Sequence, residues 1–141
     1  MRIAWATDER TALTDAIVEW LEAAGHRVEE RGQGIDWPDA GRAVGLAVAG
    51  GLADRGVVCC TTGTGVAMAA NKVPGVRAAL CTDAPTAAGA RRWNDANVLA
   101  LGLRLTSEAV AVEILEAFLS TPFDPAEAPL VDRVEAPGPI G

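Results

Sequence analysis

Apolar positions along the chain follow two alternating rhythms. Short uninterrupted runs form the first: RIAWA (2–6), GVVCC (56–60), VRAALC (76–81) and NVLAL (97–101). The second has a helical spacing, as in Leu13, Ile17, Trp20 and Leu21. Uninterrupted runs suit strands buried on both faces, and the spaced pattern suits helices with one apolar stripe. HRVEE (26–30) reads as a further short strand. Helices are predicted from Thr11 to a stop at Gly25, from Pro38 to about Leu52, over VAMAANK, from Ala84 to Trp93, and over 107–119. Strand and helix alternate throughout, so the chain is predicted to be an α/β protein, a parallel sheet with helices on both faces. There is no internal repeat or linker, and residues 1–141 read as one domain. The proline-rich tail, about 121–141, reads as irregular.

Composition narrows the partners. Twelve Lys and Arg stand against 19 Asp and Glu, a net charge of −7, and no basic run occurs. A surface that tracks a phosphate backbone is therefore not expected, and nucleic acid is excluded as a partner. No apolar run approaches the roughly 20 residues that span a bilayer, so no membrane partner is expected. Three cysteines, an odd number without disulfide-like spacing, suggest a reducing compartment. A cytoplasmic protein is expected.

In open parallel sheets, ligands bind beyond the carboxyl ends of strands. Two turns occupy such places, Thr7-Asp8-Glu9 and the loop from Cys60 to Gly65, CTTGTG. The loop's glycines let backbone approach a ligand, and the helix behind it turns N–H groups towards an anion. It is neither a Walker loop nor a GxGxxG loop, and an ordinary strand–helix turn has the same composition. Adjacent strand residues face opposite sides, so Cys59 and Cys60 cannot share one crevice. One should pack under a helix. The other could meet the helix N-terminus, where a thiolate is stabilised. On pattern alone, two inert buried thiols are the favoured reading.

CTTGTGVAMAANKVPGVRAALCTD (60–83) and RRWNDANVLALGLR (91–104) carry a further signal. These stretches resemble the ribose-5-phosphate isomerase B family, which includes the subunits of galactose-6-phosphate isomerase. The match runs without a gap over about positions 55–105. The resemblance implies a three-layer α/β/α sandwich with a five-stranded, Rossmann-like parallel sheet. It also implies homodimers or dimers of dimers with sites shared between subunits. The activity implied is interconversion of aldose and ketose phosphates through a cis-enediolate, with no metal or cofactor. By the resemblance, Cys60 is the base that moves the proton and Thr62 assists at the hydroxyls. The backbone of Thr61, Gly63, Thr64 and Gly65 would hold the enediolate oxygen. Asp8 would contact sugar hydroxyls. Asn94 would reach in from a partner subunit, and Arg104 and Arg133 would bind phosphate. Asn71 would be structural.

The chain departs from the family pattern at four places. Trp93 stands where a ring-opening histidine is usual, and Glu9 where a histidine contacts phosphate. Ala40 replaces a tyrosine and is expected to leave a more open pocket, and Pro129 replaces a tail arginine. Indole is no acid at neutral pH, and Glu9 would repel a phosphate unless it turns away or pairs with an arginine such as Arg10 or Arg133. Trp93 could instead simply pack at a subunit interface. The expected activity is aldose–ketose isomerisation of a sugar other than ribose 5-phosphate, such as a tetrose phosphate or, in view of Glu9, a non-phosphorylated or unusual sugar. The alternatives are a partner subunit of a heteromeric isomerase and an epimerase. His26, the only histidine, is expected to be a surface or partly packed residue.

Overall fold

A computed structural model describes residues 1–136. Five parallel strands form one sheet: β1 (Arg2–Thr7), β2 (Arg27–Gln33), β3 (Arg55–Cys60), β4 (Ala78–Leu80) and β5 (Val98–Gly102). Their order across the sheet is β2-β1-β3-β5-β4. The intervening helices are α1 (Ala12–Ala23), α2 (Trp37–Ala49), α3 (Thr64–Asn71), α4 (Ala84–Asn94) and α5 (Glu108–Ser120). A 3₁₀ turn, Pro125–Glu127, leads into α6 (Ala128–Glu135).

Period-two alternation sorts the sheet's side chains into two cores. Ile3, Trp5, Val57, Cys59, Leu99 and Leu101 pack with Ile17, Leu21, Ile114, Leu115 and Phe118 from α1 and α5. Ala4, Ala6, Val58, Cys60, Val98 and Ala100 pack with Ala40, Val44, Val66 and Ala70 from α2 and α3. The predicted opposition of Cys59 and Cys60 is thus realised, one in each core. Side-chain caps open the helices where the sequence allows. Thr11 and Thr14 form a reciprocal capping box on α1, and Asp83 Oδ1 accepts the Thr86 N–H at 2.7 Å on α4.

Three expectations change in extent. β2 continues to Gln33, because β1 extends its pairing to Gln33 across an irregularity at Trp5/Ala6. β4 is only three residues long, since it pairs with β5 alone at the sheet edge. The tail expected to be irregular forms α6. Its proline sits in the first turn, where a helix needs no N–H, and Val131 is buried against the body. Residues 137–141 lie outside the described residues.

The chain leaves β1 towards β2 on one side and reaches β3 on the other. The strand order reverses between these two neighbours, and a crevice opens at their carboxyl ends. Thr7 and Cys59 face each other across that pair, so Asp8 and Cys60 come out side by side.

Candidate active site

Cys60 ends β3 with its side chain turned to the α2–α3 face and only 5% exposed. Its Sγ accepts the backbone N–H of Gly63 at 3.2 Å. That bond needs the loop to fold back sharply, and Gly63 does so with φ 78° as the N-cap of α3. The sulfur therefore lies against the amide end of a helix. The other two thiols are free and buried. Burial pushes the Cys59 thiol far up, and it pushes Cys81 up to about 11. Both are neutral thiols at ordinary pH.

Cys60 opens onto a cleft of about 320 Å³ shared with Asp8, Thr61, Thr62, Thr64 and Gly65. The Oγ1 atoms of Thr62 and Thr64 are 2.8 Å apart and hydrogen-bonded. Asp8 follows β1, and its Oδ1 is buried without a hydrogen-bond partner. Burial raises the Asp8 pKa, and the backbone N–H of Glu9 partly offsets this. A buried acceptor beside an open cleft is suited to a ligand hydroxyl, which would restore the missing hydrogen bond. Arg104 emerges just after β5, where its backbone N–H donates to the Thr61 carbonyl at 2.9 Å. Its exposed side chain starts at the rim of the loop.

Two residues of the cleft escaped the sequence reading. Trp37, the first residue of α2, and Met68 on α3 both line it. The Trp37 indole lies so close to Gly65 that a Cβ there would fall 2.8 Å from its Cε3. The available signal was an aromatic residue directly before the proline that opens a helix facing the crevice. The expectation for Ala40 is corrected: it is fully buried in the core beneath α2, away from the cleft. One helical turn separates the wall residue from the core residue.

Glu9 is exposed, and Arg10 pairs with Asp15 instead, Nε to Oδ1 at 3.0 Å. Among the described residues no salt bridge reaches Glu9. His26 lies before edge strand β2, 3.3 Å from the terminal amine and partly buried, as expected. Asn71 pins the end of α3 to β4 by accepting from and donating to Ala78.

Trp93, Asn94 and Arg133 are not in this cleft. α4 runs back along the sheet, so its end lies by the amino ends of the strands. Asn97, just before β5, accepts the Arg77 N–H ahead of β4, and its carbonyl accepts the Gly56 N–H in β3. α6 is anchored at the same end, where Glu135 bonds Arg77 and the Gly75 N–H. The six residues of β3 separate that end from Cys60 by about 15–20 Å. Asn94 lines a separate depression of about 750 Å³. Trp93 is 54% exposed. Its ring lies over Gly89, one turn back, where a Cβ would come within 2.8 Å of it.

Among the described residues no group of His, Cys, Asp or Glu is gathered to hold a metal ion. No helix there is long and apolar enough to cross a membrane.

The profile of the Ribose/Galactose Isomerase family matches residues 3–136. The Arabidopsis thaliana protein called DNA damage-repair/toleration protein DRT102 is 43% identical over 123 residues, 86% of this chain. The match spans only 39% of that longer protein. D-erythrulose-4-phosphate isomerase of Pectobacterium atrosepticum is 34% identical over 131 residues, covering 92% of this chain and 86% of the relative. Among solved structures, ribose-5-phosphate isomerase B of Clostridium thermocellum superposes with a TM-score of 0.92 at 37% identity, covering 96% of each chain.

Proposed function

From the premise that the chain belongs to the Ribose/Galactose Isomerase family, we propose that it interconverts an aldose and a ketose phosphate of short chain length. The observation that carries the reading is the Cys60 sulfur, bonded to a loop amide, lining the same cleft as Asp8, whose Oδ1 is buried without a partner. As thiolate, Cys60 takes the proton from C2 of the aldose. The C–H electron pair forms the C1=C2 bond, and negative charge passes to the carbonyl oxygen. Amides of the Thr61–Gly65 loop hold that oxygen, which is where charge develops and where preorganised donors act most strongly. The Thr62 hydroxyl relays a proton between O1 and O2. The Cys60 thiol then returns its proton to C1, giving the ketose and restoring the thiolate.

A second copy of the chain completes the site. Asn94 and Arg133 lie at the far end of the sheet from Cys60 in their own chain, which fits the family resemblance in which such residues serve the cleft of a neighbour. The exposed Trp37, Met68, Trp93, Leu130 and Val134 give such a contact an apolar component.

The substrate is a tetrose phosphate. A four-carbon chain phosphorylated on O4 cannot close a five-membered ring, so it needs no ring-opening acid, and Trp93 provides none. The D-erythrulose-4-phosphate isomerase relative supports this choice. Incubation with tetrose, pentose and hexose phosphates in heavy water should place solvent deuterium at C2 of the tetrose phosphate most rapidly. If none of the panel acquires deuterium, the isomerase reading fails. Trp93→His should restore an acid at this position. It should raise kcat/KM for a ring-closed pentose phosphate about a hundredfold relative to the tetrose, at the low end of what general acid catalysis contributes. An unchanged ratio would separate Trp93 from substrate choice.

A further inference from the structure

A set of charges that the proposed chemistry does not use lies at the amino end of the sheet. Arg77, directly before β4, has a side chain only 19% exposed. Its Nε–H donates to the Asp95 carbonyl at 2.8 Å, and Nη2 donates to Asp95 Oδ2 at 3.2 Å. Its Nη1 donates to Glu135 Oε1 at 2.8 Å. The other oxygen of Glu135 accepts the Gly75 N–H at 3.1 Å. Asn97 closes the frame, accepting from the Arg77 N–H at 2.8 Å and donating to the Gly75 carbonyl at 2.9 Å.

Both elements held by Arg77 need holding. Asp95 has φ 48°, and among the described residues it is the only non-glycine with positive φ. Most L-residues avoid this conformation, and Asp is among the few whose short polar side chain lets them adopt it. It persists here because Arg91, 4% exposed, donates from Nη1 to Asp95 Oδ1 at 2.9 Å and to the Ala96 carbonyl. α6 has a thin apolar grip, with Val131 buried while Leu130 and Val134 are exposed. Its angle to the body therefore depends on polar contacts at its last turn. Asp95 directly follows Asn94, and Glu135 lies two residues beyond Arg133. One planar guanidinium, with donors fixed in a fork, thus joins the turn presenting Asn94 to the helix carrying Arg133.

We infer that Arg77 is a positioning residue that, with Asp95 and Glu135, fixes the spacing between Asn94 and Arg133 and so sets the substrate chain length the site accepts. This rests on the proposed reading in which Asn94 and Arg133 serve one cleft, with Arg133 at the phosphate. Two groups fixed to one frame act as a gauge: a substrate fits when the carbons between its carbonyl and phosphate match the gap. Partly buried ion pairs contribute little net stability but can fix geometry, which is the role required here.

The test uses Glu135→Gln, which keeps an acceptor for the Gly75 N–H but removes the charge, and Glu135→Ala, which removes both. Steady-state kinetics are measured with a tetrose 4-phosphate and a pentose 5-phosphate, and Arg133→Ala is made in the wild-type and Glu135→Ala backgrounds. Glu135→Ala should raise KM for the tetrose phosphate about three- to fivefold with little change in kcat, and should shrink the tetrose-to-pentose ratio of kcat/KM. Glu135→Gln should do so more weakly. Arg133→Ala should raise KM less in the Glu135→Ala background than in wild type, the non-additivity of coupled residues. An unchanged KM and ratio in Glu135→Ala, or effects that simply multiply, would overturn the gauge while leaving the isomerase reading intact. If Arg133→Ala alone leaves KM unchanged, the phosphate role of Arg133 fails and the gauge with it. If Glu135→Ala does not fold, the same comparisons in Glu135→Gln decide the matter.

Discussion

Cys60→Ala is expected to abolish exchange of the C2 proton while leaving the protein folded. The proposed base has no substitute nearby. Cys59 faces the opposite core, and burial keeps its thiol protonated at any pH the enzyme would meet. Cys81 also belongs to that other core, its thiol pushed up to about 11. Asp8 shares the cleft, and burial raises its pKa, but a carboxylate is a far weaker base towards carbon than a thiolate. Positioned proton transfer contributes on the order of 10²–10⁴-fold to rate, so residual exchange at or below about one percent of wild type is expected. The sulfur also packs beside Val58 and Val66, and its removal should cost about 1 kcal/mol, a typical cost for a single substitution. Cys59→Ala makes the matching control, with a similar loss of stability and full exchange. Deuterium incorporation followed by NMR, together with thermal melts of both variants, separates the two effects. Exchange at the wild-type rate in Cys60→Ala would remove Cys60 as the base.

How far the sequence reveals this site depends on which physical signal each residue carries. β1, β3 and β5 are legible because both of their faces are buried and polar residues are excluded. The end of β2 is not, because an edge strand tolerates RGQ as readily as a loop does. α6 is hidden by prolines that read as breakers until their first-turn position is known. The Asp8 turn and the Cys60 loop are legible as ends of buried strands. Which cysteine faces the crevice is not, since alternation excludes a shared face but names neither residue. The resemblance points to Cys60, and the geometry turns it to the cleft. Trp37 and Ala40 show the limit of motif reading. They sit three residues apart on one helix, and only the packing of α2 on the sheet decides which is wall and which is core. Asn94 and Arg133 carry no local signal of direction. That they lie at the far end of the sheet from their own Cys60 follows from the return of α4 along the sheet and from the Glu135 contacts that anchor α6 there.

Gly63→Ala is expected to be nearly as damaging as loss of the base, by a different route. At φ 78° a Cβ costs about 1–2 kcal/mol before any contact is considered. The added atom would lie 2.5 Å from Leu80 Cδ1 and 2.9 Å from both the Gly102 nitrogen and the Leu101 carbonyl carbon. The leucine tip can rotate away, but β5 is held by β3 and β4 on its two sides. The opposite approach is equally tight, since a Cβ on Gly102 would fall 2.7 Å from the Thr62 carbonyl. The loop therefore lies flat on the end of β5, and the substitution can be relieved only by lifting it. Lifting breaks the Gly63 N–H bond to Cys60 Sγ and re-aims the amides meant for the enediolate oxygen. Loss of one oxyanion donor costs about 10²–10³ in kcat, and a comparable fall is expected here alongside a lowered Tm. Gly51→Ala isolates the backbone cost, because Gly51 has φ 75° with nothing within 4 Å of a Cβ. It should lower Tm modestly and leave kcat unchanged. If Gly63→Ala turns over within about twofold of wild type, the loop amides are not the oxyanion site, for they could not keep their aim while the loop beneath them moved.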